Sequence, residues 1–482
     1  QEEVSVSAGA EQERSEDALA GEAANKVCAA GRREGRDGAR VRYEGSEPVG
    51  SALRVHRFSF DNGLTLLASI DPAAPVIALQ TWVRVGSRCE KPGKTGICHL
   101  FEHLMFGETE EQAHGAFDRL LEEAGAETNA ATFLDWTYYQ QNLPREALEL
   151  ALSLEAQRFA KLVLREPQVA SEKEVVANER RQRVDDDVDG AVSELLYKEA
   201  FRVHGYGVPT IGWMEDILGF TPEDCVAFYR TYYAPNNATL VLVGDLDLER
   251  ALALVDEHFG KLEPSSIPVE DVHPEPPQTE ERRLEIEKPT PTEKLAIGYK
   301  SCAIGDFDFA PLSVLGEILF GGRASRMHKK LVKELEIASD VRGWVGSFRD
   351  PALFDMGVTA REEHTCEELL TAFDAEIQRL HEEPPTEAEL ERAKARLELG
   401  TLQSLESVGG RAETIGFYET VLGEPGALFG KLAQYRRVTR ADLLRVTRRY
   451  LVPTGRTLVF VRPSAEDEGG EGDEADEEEV AA

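Results

Sequence analysis

Residues 221–245 read TPEDCVAFYRTYYAPNNATLVLVGD, and residues 439–463 read TRADLLRVTRRYLVPTGRTLVFVRP. The two align without gaps. Thr221, Asp224, Arg230, Tyr232, Pro235, Thr239, Leu240, Val241 and Val243 stand opposite Thr439, Asp442, Arg448, Tyr450, Pro453, Thr457, Leu458, Val459 and Val461. Each copy opens with a Thr-x-x-Asp helix start, passes a proline and ends in a β-rich apolar run, which predicts a capped helix, a turn and a strand. The chain therefore reads as a tandem duplication of one α+β unit, and 482 residues are too many for one ordinary core.

Between the copies lies EPSSIPVEDVHPEPPQTEE, residues 263–281, dense in proline and acid and poor in apolar residues. We expect a first domain over 51–262, a linker over 263–282 and a second, homologous domain over 283–463. Upstream, FSFDNGLTLLAS from Phe58 and PVIALQTWVRVGS from Pro75 read as strands, the first with an Asn-Gly turn signal. A helix near His114 to Ala124, strands around AETNAATF and TYYQQNL, and long helices over 144–161 and from Pro167 to about Val184 continue the α+β order.

Both ends look different. Residues 1–50 are rich in Glu, Gly, Ala, Ser and Arg without sustained periodicity, and are expected to be a disordered leader. From Ala465 the chain holds ten acids and no base, so residues 464–482 are expected to be a disordered acidic tail that supplies part of the net charge of −35. That charge argues against nucleic acid as a partner, and no apolar run is long enough to span a membrane. A first residue that is Gln rather than Met points to a removed or trimmed leader, so the periplasm or cell envelope is the expected compartment, with the cytoplasm as the alternative. Cys28, Cys89, Cys98, Cys225, Cys302 and Cys366 show no C-x-x-C spacing and read as separate small hydrophobes.

One unit of the pair carries chemistry. In GICHLFEHLMFG, residues 96–107, His99 and His103 share a helix face with Glu102 beside them, and H-x-x-E-H is a zinc peptidase signature. Sliding LMFG at Leu104–Gly107 onto ILFG at Ile318–Gly321 puts Ser313, Gly316 and Glu317 opposite His99, Glu102 and His103. The second unit thus lacks the set, and its expected role is to shape and close the site. A zinc site needs a third ligand. SEKEVVANERRQR, from Ser171, offers Glu172, Glu174 and Glu179, but on its own it also reads as a solvated acidic face laced with Lys173, Arg180 and Arg181.

HLFEH followed by a long helical region and SEKEVVANE resembles the pitrilysin or insulinase-like zinc peptidases, the family with the reversed motif. GAETNAATF, GWMEDI, YYAPNNATLVLVGD and FGGRASRMHKKLV extend the resemblance from about Phe58 to Pro463. The layout is similar to the short two-domain members, which include mitochondrial processing peptidase and bacterial relatives, and amounts to half of an enclosing shell. The family places its third ligand seventy-odd residues downstream, with another functional glutamate seven residues before it. Here 179 − 103 = 76 and 179 − 172 = 7, so the resemblance implies Glu179 as ligand and Glu172 as a supporting catalytic residue. It further implies one zinc ion per chain on His99, His103 and Glu179, with Glu102 as general base for a metal-activated water. The strand ETNAATF becomes the peptide rail, with Asn129 and Ala130 facing substrate. His204 and Tyr206, in a Gly-rich loop, read as structural.

The implied function is a zinc endopeptidase acting on oligopeptides or unfolded segments. The alternatives are a noncatalytic peptide-binding or scaffolding subunit, which typically loses the metal set, and a purely structural zinc site, which fits three ligands and an adjacent base poorly. The longer relatives carry an Arg and a Tyr, seven residues apart, that stabilise the oxyanion, whereas Val332 and Ser339 occupy the nearest counterpart positions here. A related partner chain bearing that pair, in a heterodimer, is therefore expected, with a homodimer as second choice.

Overall fold

The structure, a computed structural model, describes residues 2–33, 41–49, 53–270 and 273–464, so the acidic tail lies outside it except for its first residue. Among the described residues, strands β1 (Val41–Val49), β2 (Leu53–Phe60), β3 (Thr65–Ile70), β4 (Val76–Val83), β5 (Glu127–Thr132), β6 (Thr137–Pro144) and β7 (Ala238–Gly244) form one sheet. Its order is β1-β2-β3-β7-β4-β6-β5. Strands β8 (Arg282–Lys288), β9 (Lys294–Lys300), β10 (Ala338–Val345), β11 (Leu353–Ala360) and β12 (Arg456–Pro463) form the other, in the order β10-β11-β9-β12-β8. Read from its far end, the second sheet matches β3-β7-β4-β6-β5 strand for strand, including the parallel pairs β3 with β7 and β8 with β12. The expected α+β duplication is the architecture.

The repeat that reveals it is built from matched local devices. The Asp224 and Asp442 amides each donate to the Thr three residues earlier at 3.2 Å, while the Thr221 and Thr439 amides donate back to the aspartates at 3.1 and 3.0 Å. These reciprocal caps satisfy orphan donors at each helix start. Each helix then passes through a proline turn into β7 or β12. Every residue of β7 and the first six of β12 are buried, as strands covered on both faces must be.

The covering helices are exchanged between the halves. Helix Val408–Leu422, from the second half, lies on β4 and β7 of the first sheet, where Val408, Ala412 and Ile415 join Trp82, Tyr138, Val241 and Val243. Helix Val188–Ala200, from the first half, lies on β9 and β12 of the second sheet, where Val192, Leu196 and Ala200 join Ala296, Leu353, Val459 and Val461. Gly416 permits the first approach, since a Cβ there would stand 2.0 Å from Trp82 Nε1. At the same junction Glu419, 2% exposed, takes Arg57 at 2.8 Å and Arg84 at 3.2 Å.

The expected disordered leader is corrected by the structure. Glu2–Arg33 is a helix, and β1 pairs with β2 from Val41↔Phe60 to Val49↔Leu53. Ala20, Ala23, Ala24 and Val27 recur at helical spacing and are buried. Asp17 accepts from the Tyr43 and Ser46 hydroxyls at 2.5 Å each, and Lys26 donates to Glu249 at 2.9 Å. The stripe is made of alanines, so composition alone resembled low-complexity chain. The expected linker, with residues 271 and 272 outside the description, carries no helix or strand among its described residues before Arg282, where β8 begins, but is pinned: Glu270 pairs with Arg88 at 2.6 Å, and Glu275 accepts the Arg202, Val203 and His204 amides. No helix among the described residues is long and apolar enough to cross a membrane.

The short helix Ile97–Leu104, which carries both motif histidines, is clamped at its start. Gly96, at φ 87°, backs onto Gly212, where a Cβ would stand 2.5 Å from the Gly96 Cα. The Gly96 and Cys98 amides donate to Glu90 at 2.7 and 2.8 Å, and Thr95 donates twice to Asp216, at 3.0 and 2.6 Å. Burial pushes the Glu90 carboxyl up to about 8, against the two amides that favour its charged form.

Two outcomes follow from this packing. Gly416→Val should cost about 1–3 kcal/mol by overpacking against Trp82, read as a lower urea midpoint. Because Glu90 binds its proton more tightly folded than unfolded, its contribution is fully present below the ordinary carboxyl range near 4.5 and is lost as pH rises through about 8. Wild type should therefore lose stability relative to Glu90→Gln across that window in urea titrations; parallel pH dependences would contradict the assignment.

Candidate metal centre

Helix Ile97–Leu104 presents His99 and His103 one turn apart, with ring centroids 5.0 Å from each other. Helix Glu166–Arg180 crosses nearby and presents Glu172 and Glu179 on one face, two turns apart. Glu179 Oε2 lies 3.5 Å from His99 Nε2 and 3.2 Å from His103 Nε2, while Glu172 Oε2 lies 3.8 Å from His103 Nδ1. Immediately after Glu179 the helix loosens into a π-turn over Arg181–Asp185, a distortion frequent at functional sites. From that turn Arg183 Nε reaches Glu179 Oε1 at 3.0 Å.

One ligand atom from each of His99, His103 and Glu179 falls within 4.8 Å of the others. His99 Nδ1 and Glu179 Oε2 are buried without a hydrogen-bond partner. Buried polar atoms left unpaired are costly, and two imidazoles with one carboxylate, converging on a shared point, are the donor set that zinc takes. Burial drives His99 toward its neutral form, with Glu179 opposing. For His103 burial is outweighed by Glu179, Glu102 and Glu172, and its pKa is raised. For Glu179 burial is likewise outweighed, by His103, His99 and Arg183, and its pKa is lowered. The carboxylate thus stays charged and able to bind a cation.

Glu102 sits on the same helix, beside Thr132 at the end of β5. Burial raises its pKa, with Thr132 and His103 pulling the other way, which suits a group that takes and returns a proton. β5 is the outer strand of its sheet, with a strand partner, β6, on one side only, and Asn129 and Ala130 lie at its middle. The Asn129 side chain accepts from the Ala130 amide at 2.9 Å.

His204 and Tyr206 lie apart from this centre. The Tyr206 hydroxyl donates to Asp135 at 3.0 Å, and His204 Nε2 stands 3.3 Å from Asp350. His204 lines a cavity of about 1720 Å³ at the junction of the halves, which contains none of the five motif residues. The candidate site is therefore defined by the donor cluster and not by this hollow. Sequence reading missed Glu90, Asp216, Arg183 and Arg180. The last was visible in ERRQR but read there as part of a solvated face. In the structure it is buried and bound to Glu194 and the Gly212 carbonyl.

In the helix of the second half that follows β9, Phe309–Phe320, the Ser313 hydroxyl donates to the Phe309 carbonyl and Glu317 pairs with Arg396. Among the described residues no second cluster of ligand type is found.

Residues 66–212 match a family model described as insulinase (peptidase family M16), and residues 219–397 match one described as the peptidase M16 inactive domain. A zinc protease of Helicobacter pylori, PqqE, is 30% identical over 407 residues, which covers 83% of this chain and 91% of that one. The mitochondrial-processing peptidase subunit beta of Lentinula edodes is 26% identical over 373 residues, 75% of this chain and 79% of that one. The crystal structure of a protease from Helicobacter pylori superposes with a TM-score of 0.81 at 29% identity, over 85% of this chain and 99% of that one. With both halves matched in order, and a relative aligned over most of both lengths, the chain belongs to peptidase family M16, the insulinase family.

Proposed function

We propose that the chain is a zinc-dependent endopeptidase that hydrolyses oligopeptides or unfolded segments. The observation that carries the reading is the converging set of buried His99 and half-buried His103 and Glu179, with Glu102 alongside and the outer strand β5 packed against the same helix. One zinc ion per chain would be held by those three side chains. When bound, it supplies a Lewis acid that makes water a nucleophile near neutral pH and polarises a carbonyl.

The chain's own residues supply the rest. An extended peptide pairs its main chain with β5, near Asn129 and Ala130, which brings a carbonyl to the histidines without demanding a particular side chain. Glu102 takes the proton of the attacking water and hands it to the departing amine, its pKa already raised toward that task by burial. Glu172, close to His103, orients that imidazole from behind.

The oxyanion needs donors too. Val332 lies in the π-helical segment His328–Glu334 and Ser339 on β10, and neither side chain carries a cation or a phenol. We infer that a related chain completes the site with an Arg and a Tyr. The matched mitochondrial peptidase, by its name, is itself a subunit.

Glu102→Gln should keep zinc while lowering kcat by about 10²–10⁴-fold, the usual worth of a positioned base. Turnover close to wild type at full metal content would exclude Glu102 from that role. Chelation should abolish activity and added zinc restore it. Assayed against short peptides, the chain alone should be weak and should be stimulated by a homologous partner of similar length; full activity alone, with no stimulation, disproves the shared site.

A further inference from the structure

Glu179 is held from a direction that the ligand set does not explain. Helix Val188–Ala200 belongs to the first half by sequence yet is fastened to the second sheet along its length. Near its start Lys294 Nζ meets Asp189 at 2.8 Å, and at its end Lys300 Nζ and Arg282 donate to the Ala200 carbonyl at 2.6 and 3.1 Å. Lys288, on β8, donates to the Asp185 carbonyl of the preceding π-turn at 3.1 Å. Between these ties Leu196 packs over Gly298 of β9, where a Cβ would stand 3.2 Å from Leu196 Cδ1.

From this anchored helix Glu194 grips Arg180 by both carboxylate oxygens, at 2.8 and 3.1 Å. Arg180, whose side chain is 7% exposed, also donates to the Gly212 carbonyl at 2.8 Å. Gly212 is the residue that backs onto Gly96, where the histidine helix begins. Arg180 directly follows Glu179. A planar guanidinium bound bidentately on one side and to a backbone carbonyl on the other fixes both distance and orientation, which a lysine cannot do.

We propose that Arg180 and Glu194 are positioning residues through which the second, metal-free half holds Glu179 against His99 and His103. The half without ligands thereby sets the metal affinity of the half that has them. The inference rests on the zinc reading above.

The full-length chain is compared with Arg180→Lys, Glu194→Gln, the remote Gly298→Val and the double variant Arg180→Lys/Gly298→Val. Zinc affinity is measured by chelator competition, the visible spectrum of the cobalt-loaded protein reports ligand geometry, and circular dichroism with thermal unfolding reports the fold. Arg180→Lys and Glu194→Gln should weaken zinc binding about 10–100-fold, the usual weight of groups that orient ligands, and should shift the cobalt bands. Gly298→Val should weaken it as well. The double variant should lose less than the product of the two single losses, since both act along one path. Where Arg180→Lys does not fold, the near-isosteric Glu194→Gln decides alone. Folded variants with wild-type zinc affinity and an unchanged cobalt spectrum overturn the proposal, as does a Gly298→Val effect that multiplies independently with Arg180→Lys. Wild type that takes up no zinc, indistinguishable from His103→Ala, instead overturns the metal reading itself and the proposal with it.

Discussion

Each sheet of this chain is covered on one face by a helix that the other half contributes. Helix Val408–Leu422 seals β4 and β7, and helix Val188–Ala200 seals β9 and β12. Central strands that are apolar on both faces must be covered on both, so each half builds a core of its own on one face of its sheet and depends on the other half to bury the opposite face. Trp82 illustrates the cost of separation. It is fully buried, stacks on Tyr138 at 4.5 Å and needs Gly416 from the other half to close the space above it. The exchange also delivers the polar contacts at the junction: Arg57 and Arg84 on Glu419, and Arg88 on Asp135, Glu270 and Asp350. Buried charges gathered from two halves and a linker are tolerable only when all arrive together.

What was legible in the sequence follows from the range over which each signal acts. The capping Thr-x-x-Asp pairs, the proline turns and the apolar runs of β7 and β12 are local, and their repetition after 218 residues (439 − 221 = 218) disclosed the duplication. H-x-x-E-H is local too, because two imidazoles on one helix need only the right spacing. Glu179 was not local. Its partners sit on another helix, and the bare stretch reads equally as solvated face, so only the family resemblance selected it. Glu90 acts through the backbone amides of Gly96 and Cys98, six and eight residues on, and Asp216 through that of Thr95, 121 residues away, and binding to main-chain amides leaves no side-chain pattern to read. The leader was misjudged because a stripe of Ala20, Ala23 and Ala24 carries little hydrophobic signal yet packs closely, its small side chains allowing a near approach.

The duplication preserved architecture and let chemistry go. Strand order, parallel pairs and caps recur in both halves, whereas the positions of His99, Glu102 and His103 became Ser313, Gly316 and Glu317. Those replacements are at home in their helix. Ser313 bonds back to its own backbone, a Cβ at Gly316 would meet the Phe354 ring at 3.3 Å, and Glu317 is paired with Arg396. Positions that hold ligand-type side chains in the first half serve packing and pairing in the second.

The two outer strands of the first sheet have opposite characters. β1 carries a register break between Tyr43 and Gly45, a proline at Pro48 and the charges of Arg42, Glu44 and Glu47, and it is buttressed by the Glu2–Arg33 helix. These are the devices by which proteins discourage a foreign strand from joining a sheet. β5 is short, lacks proline and carries the single charge of Glu127. The leader therefore does more than lengthen the sheet. By making one border unreceptive it leaves strand addition a single address, so an extended chain that sticks to this sheet arrives beside Glu102 and the paired histidines. On the proposed function, the fold would turn a general hazard of open sheets, the recruitment of stray unfolded polypeptide, into a way of choosing what is cut.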